Sequence, residues 1–178
     1  MISAGGCIFL ALMLLCVPLK WIAAAVLAAF IHECFHYLAI KLCAGSVDGI
    51  RMGAEGMRMH IAPMSEGKEL ICALAGPAGG FLLLFVSKWF PRTALCGVIH
   101  SFYNLLPLYP LDGGRALRCG ARLLFKTSTV DKICMWIEAA CLWGSLLVSL
   151  YAVIRFQVGI VPLLLVMLLW WKTKNTIR

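Results

Sequence analysis

The sequence predicts an all-α polytopic membrane protein with about six transmembrane helices and a short β-hairpin around 47–61. Three observations lead there. Of 178 residues, 62% are apolar and 13% charged, against about 45–50% and 25% in a soluble domain. Mean hydropathy is +0.93. Nearly charge-free stretches recur at 1–19, 21–40, 70–87, 93–111, 133–154 and 156–171, together 114 residues, where one membrane-spanning helix needs roughly 20. The longest pieces left over, 41–69 and 112–132, are too short for a separate soluble domain. Residues 1–178 therefore read as a single transmembrane domain.

The first segment has no Lys or Arg ahead of it and no convincing small-residue cleavage site after it. It reads as a span rather than a signal peptide. Little more than Lys20 separates it from the second segment, which implies a tight helical hairpin. The stretch 45–62 is rich in Gly and Met. Its Met57, Met59 and Ile61 alternate with Arg58 and His60, a period of two that suits a strand, and Gly53 to Gly56 supplies a turn. An irregular interfacial loop is the alternative there. Segment three carries Gly76-Pro77-Ala78-Gly79-Gly80, where proline removes a backbone hydrogen bond and glycine permits close helix approach. Segment four runs into Asn104-Leu105-Leu106-Pro107-Leu108-Tyr109-Pro110-Leu111-Asp112-Gly113-Gly114-Arg115, which cannot continue as a regular helix. Broken backbone at membrane depth is tolerated only where protein or a wet cavity covers it, so the break marks a candidate site. Segments five and six complete the set, with Glu138 inside the fifth.

The net charge of +8 reports topology here, not nucleic-acid binding. With six spans, the termini and the loops 41–69 and 112–132 share one side, which holds twelve of the sixteen Lys and Arg. Lys20, Lys88, Arg92 and Arg155 lie on the other. This bias puts both termini in the cytoplasm. Nine cysteines without a C-x-x-C pair, most of them in apolar segments, argue against a disulfide framework or a Cys-ligated zinc.

Chemistry concentrates in His32-Glu33-Cys34-Phe35-His36. On a helix, residues four apart share a face, so both imidazoles can reach one ion. Nitrogen donors suit Zn2+, and the intervening Glu33 can act as general base. Random shuffling of this composition gives roughly 0.002 such H-E-x-x-H motifs, and ionisable groups inside hydrocarbon are functional candidates by default. A buried, hydrogen-bonded polar pair is the bland alternative. Catalytic zinc needs a third protein ligand. Of the eight acids, Asp112 and Glu138 are the strongest candidates. His32 and His36 lie about 13 and 7 Å along a helix from Lys41, in the cytoplasmic half. Asp112 approaches that half on broken backbone, whereas Glu138 sits on an unbroken segment and reads as the partner of a basic residue. Asp112 is preferred. His100, one turn before Asn104, reads as a packing histidine or a support for the site.

H-E-x-x-H on one span, Gly-Pro on the next and N-x-x-P-x-x-P-L-D-G-G-R on the one after resemble the site-2 protease family, intramembrane zinc metalloproteases of peptidase family M50. The motifs cover residues 32–115. The resemblance implies that His32, His36 and Asp112 ligate one zinc ion and that Glu33 activates water. It also implies that Asn104 holds the substrate carbonyl or oxyanion. The implied substrate is a membrane or membrane-associated protein, with room for a regulatory membrane partner. The chain departs from many relatives in having Gly80 or a neighbour where they carry Asn after the Gly-Pro, and it leaves no space for a PDZ or CBS domain. Six spans without a PDZ insertion resemble the sporulation-type subgroup, which processes a sigma-factor precursor. The competing readings are a non-catalytic membrane scaffold or transporter, or another H-E-x-x-H membrane protease with a different third ligand.

Overall fold

The computed structural model describes residues 18–43, 47–53, 56–61, 64–156 and 161–176, so the first expected span lies almost wholly outside the described residues. The helices are α1 (Leu19–Leu42), α2 (Glu66–Leu82, continued by a 3-10 turn Leu83–Val86), α3 (Pro91–Asn104), α4 (Asp112–Arg122), α5 (Thr127–Phe156) and α6 (Val161–Thr176). Strands β1 (Val47–Gly53) and β2 (Gly56–Ile61) pair antiparallel from Val47↔Ile61 to Gly53↔Gly56, with a register irregularity between Val47 and Gly49. The hairpin read from alternation is therefore present. Among the described residues, α1, α2 with its 3-10 turn, and α5 are long and apolar enough to cross a membrane. The chain is a membrane protein.

The chain divides into two compact units, one up to Asn104 and the other from Leu105 on. In the first, α1, α2 and α3 pack on one another. The buried stripe of α1 steps by fours through Ala24, Ala28, His32, His36 and Ile40, while Val26, Phe30 and Leu38 face outward. Small and polar residues inside with large apolar ones outside is the arrangement expected where lipid, not water, is the solvent. Ala28, Leu83 and Ala94 form one packed cluster, and Ala39, Ile40 and Cys72 another. Pro77 lies inside α2 without ending it. In the second unit, α5 packs against α4 and α6, and Leu108, Leu111 and Leu169 form the core.

Two boundaries differ from the sequence expectation. The expected span 93–111 is helical only as far as Asn104, about 21 Å at 1.5 Å per residue. Pro107 and Pro110 have no N–H to donate, and the chain turns instead through Leu108 N–H to Leu106 O and Leu111 N–H to Leu108 O, at 2.7 Å each. The Tyr109–Pro110 peptide is cis. The expected loop 112–132 contains α4, whose buried residues are Asp112, Gly113, Gly114, Ala116 and Cys119. Its glycines lower helix propensity, and its arginines remove it from the apolar segments.

Candidate metal centre

Both histidines of the H-E-x-x-H motif are on the buried stripe of α1, His32 at 2% exposure and His36 at 9%. Their Nε2 atoms face each other at 3.1 Å and their rings meet edge to face. His36 Nδ1 lies 2.7 Å from the Cys72 carbonyl oxygen on α2. A carbonyl can only accept, so Nδ1 carries the proton and Nε2 keeps its lone pair. That fixed tautomer is the support a metal-binding histidine needs. Two nitrogens on one tetrahedral zinc at about 2.0–2.1 Å stand roughly 3.3 Å apart. The observed separation therefore fits a shared ion. With His36 Nε2 as acceptor, the same distance also suits an N–H···N bond donated by His32 Nε2.

The helices around the pair leave it room through glycine. A Cβ on Gly76 would overlap His36 Nε2 and lie 2.6 Å from both Cδ2 and Cε1 of that ring. A Cβ on Gly79 would lie 2.9 Å from the Phe35 Cβ, and one on Gly80 would lie 2.8 Å from the Gly97 carbonyl oxygen. The Gly-Pro segment thus sets the distance between α2 and its neighbours. Ser101 on α3 donates to the Pro77 carbonyl at 3.0 Å, fully buried.

His100 packs its ring edge to face on His32, centroids 4.7 Å apart. Of the two readings open for His100, packing and support of the site, this ring contact fits both, because the residue it packs on is His32. Asn104, the last residue of α3, donates one amide N–H to the His100 carbonyl at 3.0 Å. Glu33 is half-buried on α1, between the histidines in sequence. A separate cleft among the described residues, about 320 Å³, lies near Lys20, Trp89 and Arg92. His32 is twelve residues along α1 from Lys20, about 18 Å, so that cleft is not this site.

Asp112 belongs to the second unit. It is buried, as the first residue of α4, where the partial positive charge of a helix N-terminus favours a carboxylate. Leu108 and Leu111, at 0% and 3% exposure, anchor the preceding chain in the core. Gly113 and Gly114 close the turn: a Cβ on the first would overlap the Leu105 carbonyl, and one on the second would lie 2.5 Å from Tyr109 N. Glu138 pairs with Arg118, Nη2 to Oε1 at 2.8 Å, the basic partner its place in an apolar helix required.

No protein-family model and no curated protein sequence matches the chain. Among solved structures, it is similar to the Site-2 Protease from Methanocaldococcus jannaschii, with a TM-score of 0.68 over 99% of this chain and 89% of that one, at 21% identity. The likeness is one of fold. It extends along both units, beyond the residues that carry the motifs.

Proposed function

We propose that the protein is an intramembrane zinc metalloprotease that hydrolyses a peptide bond in or near the membrane segment of a protein substrate. The observation that carries this reading is the facing Nε2 pair of His32 and His36, with one tautomer set by the Cys72 carbonyl. Asp112 is the third ligand, by its place in the P-L-D-G-G motif and its burial at a helix start. Zinc, when bound, polarises the scissile carbonyl and lowers the pKa of water toward neutrality.

The chain's own groups do the rest. Glu33 takes a proton from the attacking water and returns it to the leaving amide nitrogen. One N–H of the Asn104 amide is held by His100; the other is the donor for the developing oxyanion, a role worth about 2.7–4 kcal/mol. A helical peptide bond is shielded, so the substrate must be extended first. The β1–β2 hairpin offers a strand edge on which an extended segment can pair. The twelve-to-four distribution of basic residues puts both termini and the active site on the cytoplasmic side. The resemblance to the sporulation-type subgroup suggests a membrane-associated sigma-factor precursor as the substrate.

Glu33→Gln tests the chemistry. Purified protein carrying it should hold zinc at wild-type stoichiometry while cleavage of a co-reconstituted substrate falls by about 10²–10⁴-fold. Cleavage that survives the substitution overturns the mechanism. Wild-type protein that neither binds zinc nor cleaves supports a non-catalytic scaffold instead.

A further inference from the structure

Arg118 and Glu138 form an ion pair whose carboxylate is buried in the second unit, and the chemistry proposed above does not use it. Two guanidinium nitrogens of Arg118 donate to a single carboxylate oxygen of Glu138, Nη2 at 2.8 Å and Nε at 3.3 Å. Glu138 is 5% exposed. Such a pair is weak evidence for stability, because apolar residues of similar volume often serve as well, and in an apolar helix its members are costly. A role in orientation accounts for its presence better than one in stability.

The place of Arg118 supplies that role. Its Cζ lies 5.1 Å from the centroid of the Tyr109 ring, a cation–π contact in which the planar guanidinium sets an angle as well as a distance. Tyr109 is three residues before Asp112 and Arg118 six after it. One side chain therefore touches the chain on the near side of Asp112, sits on the helix that Asp112 begins, and is fixed to α5 through Glu138. The glycines between are packed against the carbonyls of Leu105, Leu106 and Leu108. The turn carrying Asp112 is gripped from both sides.

We infer that Arg118 and Glu138 are positioning residues that hold the Tyr109–Asp112 turn, and with it the Asp112 carboxylate, at the setting metal ligation needs. This rests on Asp112 being a ligand. Removing a group that orients a metal ligand typically costs 10–100-fold in metal affinity.

The experiment is a zinc competition against a chelator, on the full chain purified in detergent. It compares wild type, Glu138→Gln, Asp112→Ala and the double variant. Glu138→Gln is expected to weaken zinc by about 10–100-fold, and the double variant to bind no more weakly than Asp112→Ala alone. That non-additivity is the signature of acting through Asp112; two independent losses would add. Wild-type affinity in Glu138→Gln, or fully additive losses, overturns the positioning role while leaving the ligand assignment standing. Wild-type affinity in Asp112→Ala overturns the ligand assignment and the inference with it. Should Glu138→Gln fail to fold, Arg118→Lys and Tyr109→Leu replace it. Each removes the planar stack while keeping Glu138 paired, and unchanged zinc affinity in both overturns the inference.

Discussion

His32 and His36 stand on an unbroken helix of 24 residues, whereas Asp112 begins a helix of 11 that follows irregular chain. The first region needs no special device to bring its two donors together, because a four-residue spacing puts them on one face. Its difficulty is clearance: an imidazole pair between packed helices must be left room, and Gly76 leaves it. The second region has the opposite difficulty. A carboxylate on broken backbone has room, but it points reproducibly only if the break is anchored. Leu108, Leu111, the two glycines and the Arg118–Glu138 pair provide that anchoring. Glycine thus serves opposite ends, Gly76 giving space to a side chain and Gly113 and Gly114 closing backbone on backbone.

The sharpest way to break this contrast is Gly76→Ala. The added methyl overlaps His36 Nε2, the proposed ligand atom, and α2 cannot retreat without giving up the Cys72 carbonyl bond. Zinc stoichiometry measured on the purified protein is expected to fall from one to near zero. The control is Gly67→Ala on the same helix, where nothing lies within 4 Å of the added carbon. There zinc should be unchanged and thermal stability unchanged or slightly raised, since alanine is favoured over glycine in a helix by about 0.8–1.0 kcal/mol. Full zinc binding in Gly76→Ala would show that clearance is not what the first region lacks.

The two regions also differed in how far their residues announced them. The His32–Glu33–His36 spacing carries its geometry with it, because helical period alone decides that the imidazoles meet. The alternation of Met57, Met59 and Ile61 did the same for the hairpin at backbone level. Among the described residues, the spans α1, α2 and α5 were legible because hydrocarbon solvation needs long apolar runs, whereas α3 stops at Asn104 although the apolar run continues to Leu111. The supporting contacts were not legible. That His36 is held by Cys72, that His100 packs on His32, and that Glu138 finds Arg118 depends on which faces of separate helices meet. No local period encodes that. A lone Glu in an apolar segment signals only that a basic partner exists, not which residue it is.

A smaller effect is expected from Gly114→Ala. Its Cβ would lie 2.5 Å from Tyr109 N and 2.6 Å from the Leu108 carbonyl oxygen, so backbone, not a flexible side chain, has to move. Overpacking of this kind costs about 1–3 kcal/mol, read as a lower midpoint in denaturing-detergent titration. The displaced turn carries Asp112, and zinc is expected to bind more weakly while one equivalent is still reached at saturation. If Gly114→Ala abolishes zinc as completely as Gly76→Ala, the second region is as sterically determined as the first and the contrast fails.

The smallest effect is expected from Ser101→Ala. Its hydroxyl donates to the Pro77 carbonyl at 3.0 Å, wholly buried, and so ties α3 to the proline turn of α2. Hydrogen bonds between membrane helices average about 0.6 kcal/mol and reach about 1.7, because the separated helices find other partners. Loss of the hydroxyl should lower the unfolding free energy within that range. The close packing at Gly80 should stay, since the Gly97 carbonyl approaches there independently of the hydroxyl. His36 is oriented by Cys72, five residues before Pro77, and does not depend on Ser101. Zinc affinity is therefore expected to change by less than about threefold, under 0.7 kcal/mol at 1.4 kcal/mol per tenfold. A tenfold loss would mean that the α2–α3 hydrogen bond, rather than glycine clearance, holds α2 against the histidines. The first region would then be anchored by tethers, as the second is.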